Sequence, residues 1–190
     1  MERLVKYFEK PGKINSEKCL EIVLDAIAQY DYKHVVIATT GGDTGLLFSE
    51  ALKDNTKINL VAVTHSSGFK ESNVFEIPND TLQKIKDNGA KVYTGTILTH
   101  SLETALAGKF GGVYPTTLIA QTLRVFGEGT KVCCEIAMMA VDCGLIPEGQ
   151  DVITVAGTGR GADTVLIVKS AASKRFFDLK VQEVLAKPRL

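Results

Sequence analysis

Two apolar runs that each end abruptly in a glycine-rich loop constrain the fold of this sequence most strongly. The first run, residues 34–38, leads into the first glycine loop, Thr39-Thr40-Gly41-Gly42-Asp43-Thr44-Gly45, and then into a helical stretch. The second run, residues 152–156, leads into the second glycine loop, Gly157-Thr158-Gly159-Arg160-Gly161-Ala162-Asp163-Thr164. β-Branched runs that alternate with glycine turns and helical stretches predict an α/β fold with a mostly parallel sheet.

Both glycine loops have the composition of an anion site. Glycines let the backbone approach a ligand closely, and successive amide groups can then surround an anion. A helix that begins after the first loop adds unpaired N–H groups that favour negative charge. Arg160 supplies a fixed positive charge suited to phosphate or carboxylate. Neither loop contains GxxxxGK[ST] or the full GxGxxG fingerprint, so an ordinary turn remains the alternative interpretation of each.

The remaining hydrophobic periodicity predicts a single domain over residues 1–190, with helices on both faces of the sheet. Strands are predicted at residues 4–8, 34–38, 58–64, 91–94, 152–156, 164–168 and 177–186. Helices are predicted after an N-cap at Asn15 and at residues 44–53, 79–88, 98–110, 116–126 and 131–143. The last strands are joined by short loops, which predicts antiparallel pairing, with the final strand at an edge.

Composition and charge exclude several classes of function. The 190 residues carry 22 basic and 22 acidic side chains, which argues against a nucleic-acid partner or an anionic membrane surface. No apolar stretch reaches the ~18 residues of a membrane span, and the N-terminus has no signal-peptide core, so we expect a cytoplasmic protein. The four cysteines form no CxxC pair and no histidine stands at ligand spacing from them, so no metal site is expected.

Three further positions could contact a ligand, and each has a structural alternative. His65, at the end of a predicted strand, could act as a general acid or base, or could simply pack its ring. Glu135, on a nearly all-apolar helix, could contact ligand hydroxyls, position Arg160 or Arg124, or serve a structural role. Gly111-Gly112 could allow close approach of a ligand or only end a helix. The sequence assigns no catalytic residue, since GxSxG and a Ser-His-Asp arrangement are absent.

The order of several short blocks resembles a known family. The blocks are Thr39 to Thr44, Gly111-Gly112-Val113, Lys131 to Ile136, Gly144-Leu145-Ile146-Pro147, Arg160 to Thr164, Phe176-Phe177-Asp178 and Pro188-Arg189. Over nearly the whole chain, they resemble a small, mostly archaeal family of stand-alone proteins similar to the C-terminal domain of pyruvate kinase. The resemblance implies that domain's α/β fold, and it suggests a homo-oligomer because the pyruvate kinase domain lies at subunit contacts.

The resemblance also implies a ligand. In pyruvate kinase this domain carries an allosteric sugar-phosphate site, whereas catalysis belongs to a barrel for which this chain is too short, so pyruvate kinase activity is not expected. Members of the stand-alone family are suspected to bind flavin mononucleotide (FMN). Carried over, the phosphate would lie against one of the glycine loops, and the flavin ring would lie near Thr64, His65 and Gly68. A non-catalytic sensor of a sugar phosphate or nucleotide is the alternative.

Overall fold

A computed structural model describes residues 4–189 and shows a sheet flanked by helices. The strands in this part of the chain are β1 (Lys6–Phe8), β2 (His34–Ala38), β3 (Asn59–Thr64), β4 (Lys91–Thr94), β5 (Asp151–Ala156), β6 (Thr164–Lys169) and β7 (Lys180–Pro188). The α-helices are α1 (Ser16–Gln29), α2 (Asp43–Leu52), α3 (Asn79–Asp87), α4 (Leu102–Phe110), α5 (Pro115–Arg124) and α6 (Glu128–Asp142). Two 3-10 turns lie at Lys13–Asn15 and Ser173–Asp178.

The seven strands form one sheet in the order β1-β7-β6-β5-β2-β3-β4. Strand β2 lies between β5 and β3 and pairs parallel with both, and β4 extends the parallel part beyond β3. Strand β6 pairs antiparallel with β5 and β7, because the connections between these late strands are short and contain no α-helix. The predicted mostly parallel sheet with antiparallel late strands is therefore confirmed.

Alternation along the strands divides the core between the two faces of the sheet. In β2, Val35 and Ile37 pack in a cluster with side chains of α1, α2 and α3, whereas Val36 packs in a cluster with side chains of α6. Successive strand residues point to opposite faces, so a strand that is apolar throughout must be covered on both. Helix α6 lies so close to β6 that a Cβ at Gly129 would stand 2.0 Å from Thr164 Oγ1.

The structure corrects three details of the predicted elements. Strand β7 is not an edge strand, because β1 pairs parallel with it on the outer side. The Asn15 side chain donates to the carbonyls of Lys10 and Gly12 and does not cap α1. Helix α4 begins at Leu102, since the amide of Thr99 is held outside the helix by the Glu135 carboxylate.

No helix within residues 4–189 is both long enough and apolar enough to cross a lipid bilayer.

Candidate functional site

A cavity of about 190 Å³ opens at the carboxyl ends of β2, β3 and β5. Ligands of open α/β sheets bind at this edge, outside the strand ends. The cavity is lined by many of the residues predicted from the sequence: Thr39, Thr40, Gly41, Asp43, Thr44, Thr64, His65, Glu135, Gly157, Gly159, Arg160 and Gly161. The residues of that prediction that do not line it are Gly42, Gly68, Gly111, Gly112, Thr158, Ala162, Asp163 and Thr164.

The first glycine loop presents a run of free backbone amides. The Thr39 amide donates to Val63 O in the sheet, and the Gly45 amide donates to Thr39 Oγ1. Within the described residues, the five amides between them, those of residues 40–44, have no hydrogen-bond acceptor. They lie at the start of α2, where the helix dipole adds partial positive charge. This segment can therefore accept an anion without breaking an internal hydrogen bond.

Gly42 shows why the first loop requires glycine. Its φ of 97° lies in the left-handed region, and a Cβ there would stand 2.4 Å from Thr81 Cγ2 and 3.2 Å from Ile77 Cγ1. The residue is buried against α3 and the segment before it, so it shapes the loop from behind. The absence of a side chain at Gly42 is thus a structural requirement, although the Gly42 amide is one of the five free amides.

The second glycine loop differs from the prediction, because much of its backbone is already bonded within the protein. The amides of Thr158, Arg160, Ala162 and Asp163 donate to Asp163 Oδ2, Thr158 O, Ser16 Oγ and Ala156 O, respectively. Those of Gly157, Gly159 and Gly161 have no acceptor among residues 4–189. This loop therefore offers isolated amides and the Arg160 side chain, not a continuous row of donors.

Asp163 and Thr164 stabilise the second loop from inside. The Asp163 carboxylate is fully buried and accepts hydrogen bonds from the Gly12 amide at 2.7 Å, the Thr158 amide at 3.0 Å and Thr164 Oγ1 at 2.8 Å. These bonds tie the segment before α1 to the second loop. Asp163, predicted as a ligand contact, does not line the cavity, and donors within the protein already use both of its oxygens.

The two loops meet through Arg160. Its Nη1 would stand 3.2 Å from a Cβ added at Gly41, so the guanidinium lies against the first loop. The side chain is exposed and has no carboxylate partner in the described part of the chain, and its charge is therefore available to an anion. Asp43, the first residue of α2, would repel an anion, but Lys13 Nζ lies 2.5 Å from its Oδ2 and offsets that charge.

Glu135 does not contact Arg160 or Arg124, which corrects one of the predicted roles. Its carboxylate is buried and forms an ion pair with Lys131, while the amide and hydroxyl of Thr99 donate to its other oxygen. Arg124 instead donates to Glu128 at 2.8 Å. Lys131 and Glu135 lie one turn apart on α6, a spacing that favours ion pairs, whereas the Arg124–Glu128 pair joins the end of α5 to the start of α6.

The charge of Glu135 depends on these partners. Burial raises the pKa of its carboxyl, but the ion pair with Lys131 and the Thr99 hydrogen bonds outweigh burial and leave the pKa below the ordinary 4.5. A carboxylate with a lowered folded-state pKa contributes stability that is fully present above the unfolded pKa and is lost as pH falls through the folded one.

We therefore expect part of the loss of folding free energy below pH 4.5 to come from Glu135. In a Glu135→Gln variant, unfolding by urea at pH 3 to 7 should show a weaker pH dependence on the acid side, by about 1.4 kcal/mol for each pH unit of the lowered pKa. The variant should also be less stable at neutral pH, because Lys131 loses its counter-charge. If stability fell with acid pH as steeply in Glu135→Gln as in wild type, Glu135 would not be the source of this pH dependence.

His65 is held at the mouth of the cavity by a carboxylate. Its Nδ1 lies 2.6 Å from Glu76 Oε2, and its Nε2 lies 3.4 Å from Thr40 Oγ1. Its ring packs on Phe69 with 4.2 Å between centroids, and Phe69 in turn lies 5.8 Å from the ring of His100. These three rings form an aromatic wall beside the free amides of the first loop.

The family of the chain follows from a comparison with known proteins. The family described as "Pyruvate kinase, alpha/beta domain" matches residues 17–168, which is well over half of the sequence. The chain belongs to this family. The match includes β2 to β5, nearly all of β6 and both glycine loops, so the sheet edge that carries the cavity lies within the matched pyruvate kinase α/β domain.

Two solved structures of other proteins show a distant likeness to this chain. O-ureido-L-serine synthase is 18% identical over 76% of this chain and 51% of its own, with a TM-score of 0.34. A pyridoxal 5'-phosphate-dependent aspartate racemase is 17% identical over 76% of this chain and 47% of its own, also at 0.34. The chain thus spans about half the length of these two proteins, and a likeness this distant carries no functional inference.

Some predicted positions of this pyruvate kinase α/β domain lie away from the cavity. Gly68 has a φ of 74° in the loop after β3, where its amide donates to Val74 O. Gly111 ends α4, with its amide donating to Ala107 O, and Gly112 follows it in the same turn. These glycines serve the backbone of their own turns, because left-handed φ values favour glycine.

Sequence reasoning missed several residues that line the cavity or form ion pairs with residues that line it. Lys131, Glu128, Phe69, Glu76 and Lys13 were not predicted. The i,i+4 spacing of Lys131 to Glu135 was a usable signal. Glu76 and Lys13 reach their partners from other parts of the chain, so no local pattern marks them. No group of three His, Cys, Asp or Glu side chains suited to a metal occurs in residues 4–189.

Proposed function

We propose that this protein binds a phosphorylated small molecule, with the phosphate held by the free amides of residues 40–44 and by Arg160. One observation carries the proposal: the five successive amides of residues 40–44 have no acceptor among residues 4–189, and four of these residues line the same cavity as the unpaired Arg160. Four of these residues, all but Asp43, are buried or half-buried, and amides in such positions normally have partners, so the row supports an anionic ligand. Helix N-termini that present amides in this way are common phosphate sites.

FMN is the first candidate for the ligand. The aromatic wall of His65, Phe69 and His100 adjoins the phosphate position and could support a flavin ring by stacking. The cavity encloses about 190 Å³, less than the ~300–1,000 Å³ usual for whole ligands, so the ring would extend to the mouth, where Phe69 is 40% exposed. A bound flavin would supply redox chemistry, while this chain's residues would bind and orient it.

A sugar phosphate or nucleotide bound without catalysis is the second candidate. The small volume of the cavity favours it, because a sugar phosphate needs less enclosed space than a flavin. The aromatic wall would then limit the size of the ligand at the mouth and would not support a ring.

A direct titration separates these candidates. We expect wild-type protein to quench FMN fluorescence with a dissociation constant at least about tenfold lower than that for riboflavin, which lacks the phosphate; one phosphate contact of about 1.4 kcal/mol is sufficient for this ratio. A thermal-shift screen of sugar phosphates and nucleotides tests the second candidate, since a ligand at 100 times its dissociation constant adds about 2.7 kcal/mol. Absence of binding by every phosphorylated compound would refute the proposal.

A further inference from the structure

His65 stands where the free amides of the first loop begin. Thr40 contributes the first of these amides, and its side-chain hydroxyl lies 3.4 Å from His65 Nε2. Such a distance makes at most a weak hydrogen bond, so Nε2 can take a better acceptor that enters the cavity. On the other side of the ring, Glu76 Oε2 lies 2.6 Å from Nδ1 and fixes its orientation.

The contact with Glu76 determines which protonation state of the His65 ring can donate a hydrogen bond from Nε2. A carboxylate at Nδ1 fixes a proton there, so the neutral ring has an acceptor at Nε2 and only the imidazolium donates from both nitrogens. The neutral ring, which has a lone pair at Nε2, would repel an anion there, whereas the imidazolium, which has an N–H at Nε2, would attract it. A phosphate bound to the first loop should therefore favour protonated His65.

The other charged groups around the cavity do not replace His65 in this role. Arg160 stays charged at every pH of interest. Lys131 is paired with Glu135, Asp43 with Lys13, and Arg124 with Glu128. His100, the other imidazole near the cavity, lies on the loop after β4. Burial and the nearby charge of Lys131 lower its pKa, so it loses its proton at a lower pH than an ordinary histidine.

We propose that His65, oriented by Glu76, donates its Nε2 proton to the phosphate held by residues 40–44, so that the site selects a terminal phosphate monoester and binds it in its dianionic form. This inference rests on the proposed function and adds to it a proton-donating contact and a ligand class. Phosphate diesters, which carry a single charge, should bind less well because they have one acceptor charge fewer for His65 and Arg160.

The proposal fixes the shape of the pH profile. Phosphate monoesters become dianions near pH 6, so affinity first rises with pH. Histidines generally lose their proton near pH 6.5, and a contact that favours the protonated ring is lost as pH rises further. Affinity for FMN should then fall on the alkaline side, by up to about tenfold per pH unit while one proton is taken up on binding.

The test measures the dissociation constant of FMN from pH 5.5 to 8.5 by fluorescence, for wild type and three variants. His65→Gln keeps an amide donor but cannot titrate in this range, so its alkaline fall should be absent. Glu76→Gln removes the carboxylate that orients the ring, so it should weaken the FMN binding that depends on His65. His34→Gln is the matched control, because His34 lies at the opposite end of β2 and bonds to Asn59; its profile should equal that of wild type. Melting curves confirm that each variant is folded.

Three outcomes would overturn the assignment: a flat alkaline limb in wild type, an unchanged limb in His65→Gln, or the same loss of the limb in His34→Gln. Each leaves the proposed function intact, because FMN still binds. Failure of wild type to bind FMN, inorganic phosphate or any sugar phosphate at any pH would instead refute the proposed function and this inference with it.

Discussion

Replacing Asp163 with alanine is expected to lower the free energy of unfolding by about 2–4 kcal/mol, since a buried donor left without an acceptor costs about 1–3 kcal/mol and the two half-buried donors add smaller losses. The carboxylate is fully buried and accepts from the amides of Gly12 and Thr158 and from the Thr164 hydroxyl. Removing it leaves three donors without acceptors and opens a cavity between α1 and the second loop. Urea unfolding followed by circular dichroism measures the change.

Asp151 provides the control for this substitution. It is exposed at the start of β5, on the strand that precedes the second loop, and Asp151→Ala should change stability by less than about 0.5 kcal/mol. A loss below about 1 kcal/mol in Asp163→Ala would contradict the role of this carboxylate as the internal support of the loop, because one unsatisfied buried donor alone costs that much.

Replacing Arg160 with alanine is expected to weaken FMN binding by about 10- to 100-fold, because charge-assisted hydrogen bonds contribute about 1.5–3 kcal/mol each. The guanidinium lies against Gly41, beside the free amides, and has no carboxylate partner in residues 4–189. Arg160→Lys should recover part of the affinity, since lysine keeps the charge but loses the planar pair of donors. Fluorescence titration at low and high salt measures both.

Two measurements distinguish the loss of a ligand contact in Arg160→Ala from an indirect effect on the fold or on surface charge. Arg160 is exposed, so its removal should leave the melting temperature unchanged. Arg175→Ala is the control: that arginine pairs with Glu148 and does not line the cavity, and its loss should not alter FMN affinity. Equal FMN affinity in Arg160→Ala and wild type would show that the guanidinium does not contact the ligand.

Local patterns predicted most of the fold. The strands His34–Ala38 and Lys91–Thr94 were predicted at their observed bounds, because each is a short β-rich run between turn residues. The position of β7 inside the sheet was missed, since its outer neighbour β1 lies about 180 residues earlier in the chain. Pairing between such distant strands leaves no mark in either segment alone.

The same contrast holds for the candidate site. The first glycine loop could be located because a strand, glycines and a helix start follow one another in the sequence. The internal hydrogen bonds of the second loop could not be predicted, since two of the partners, Ser16 and Gly12, come from the other end of the chain. For Glu135, the partner Lys131 was one helical turn away, and spacing alone would have favoured it over Arg160.

A crystal structure of the protein with FMN tests the central claim most directly. We expect the phosphate oxygens to lie within about 2.7–3.2 Å of several amides of residues 40–44, with the Arg160 guanidinium on the same phosphate. A phosphate bound elsewhere, with those amides still facing solvent, would contradict the account.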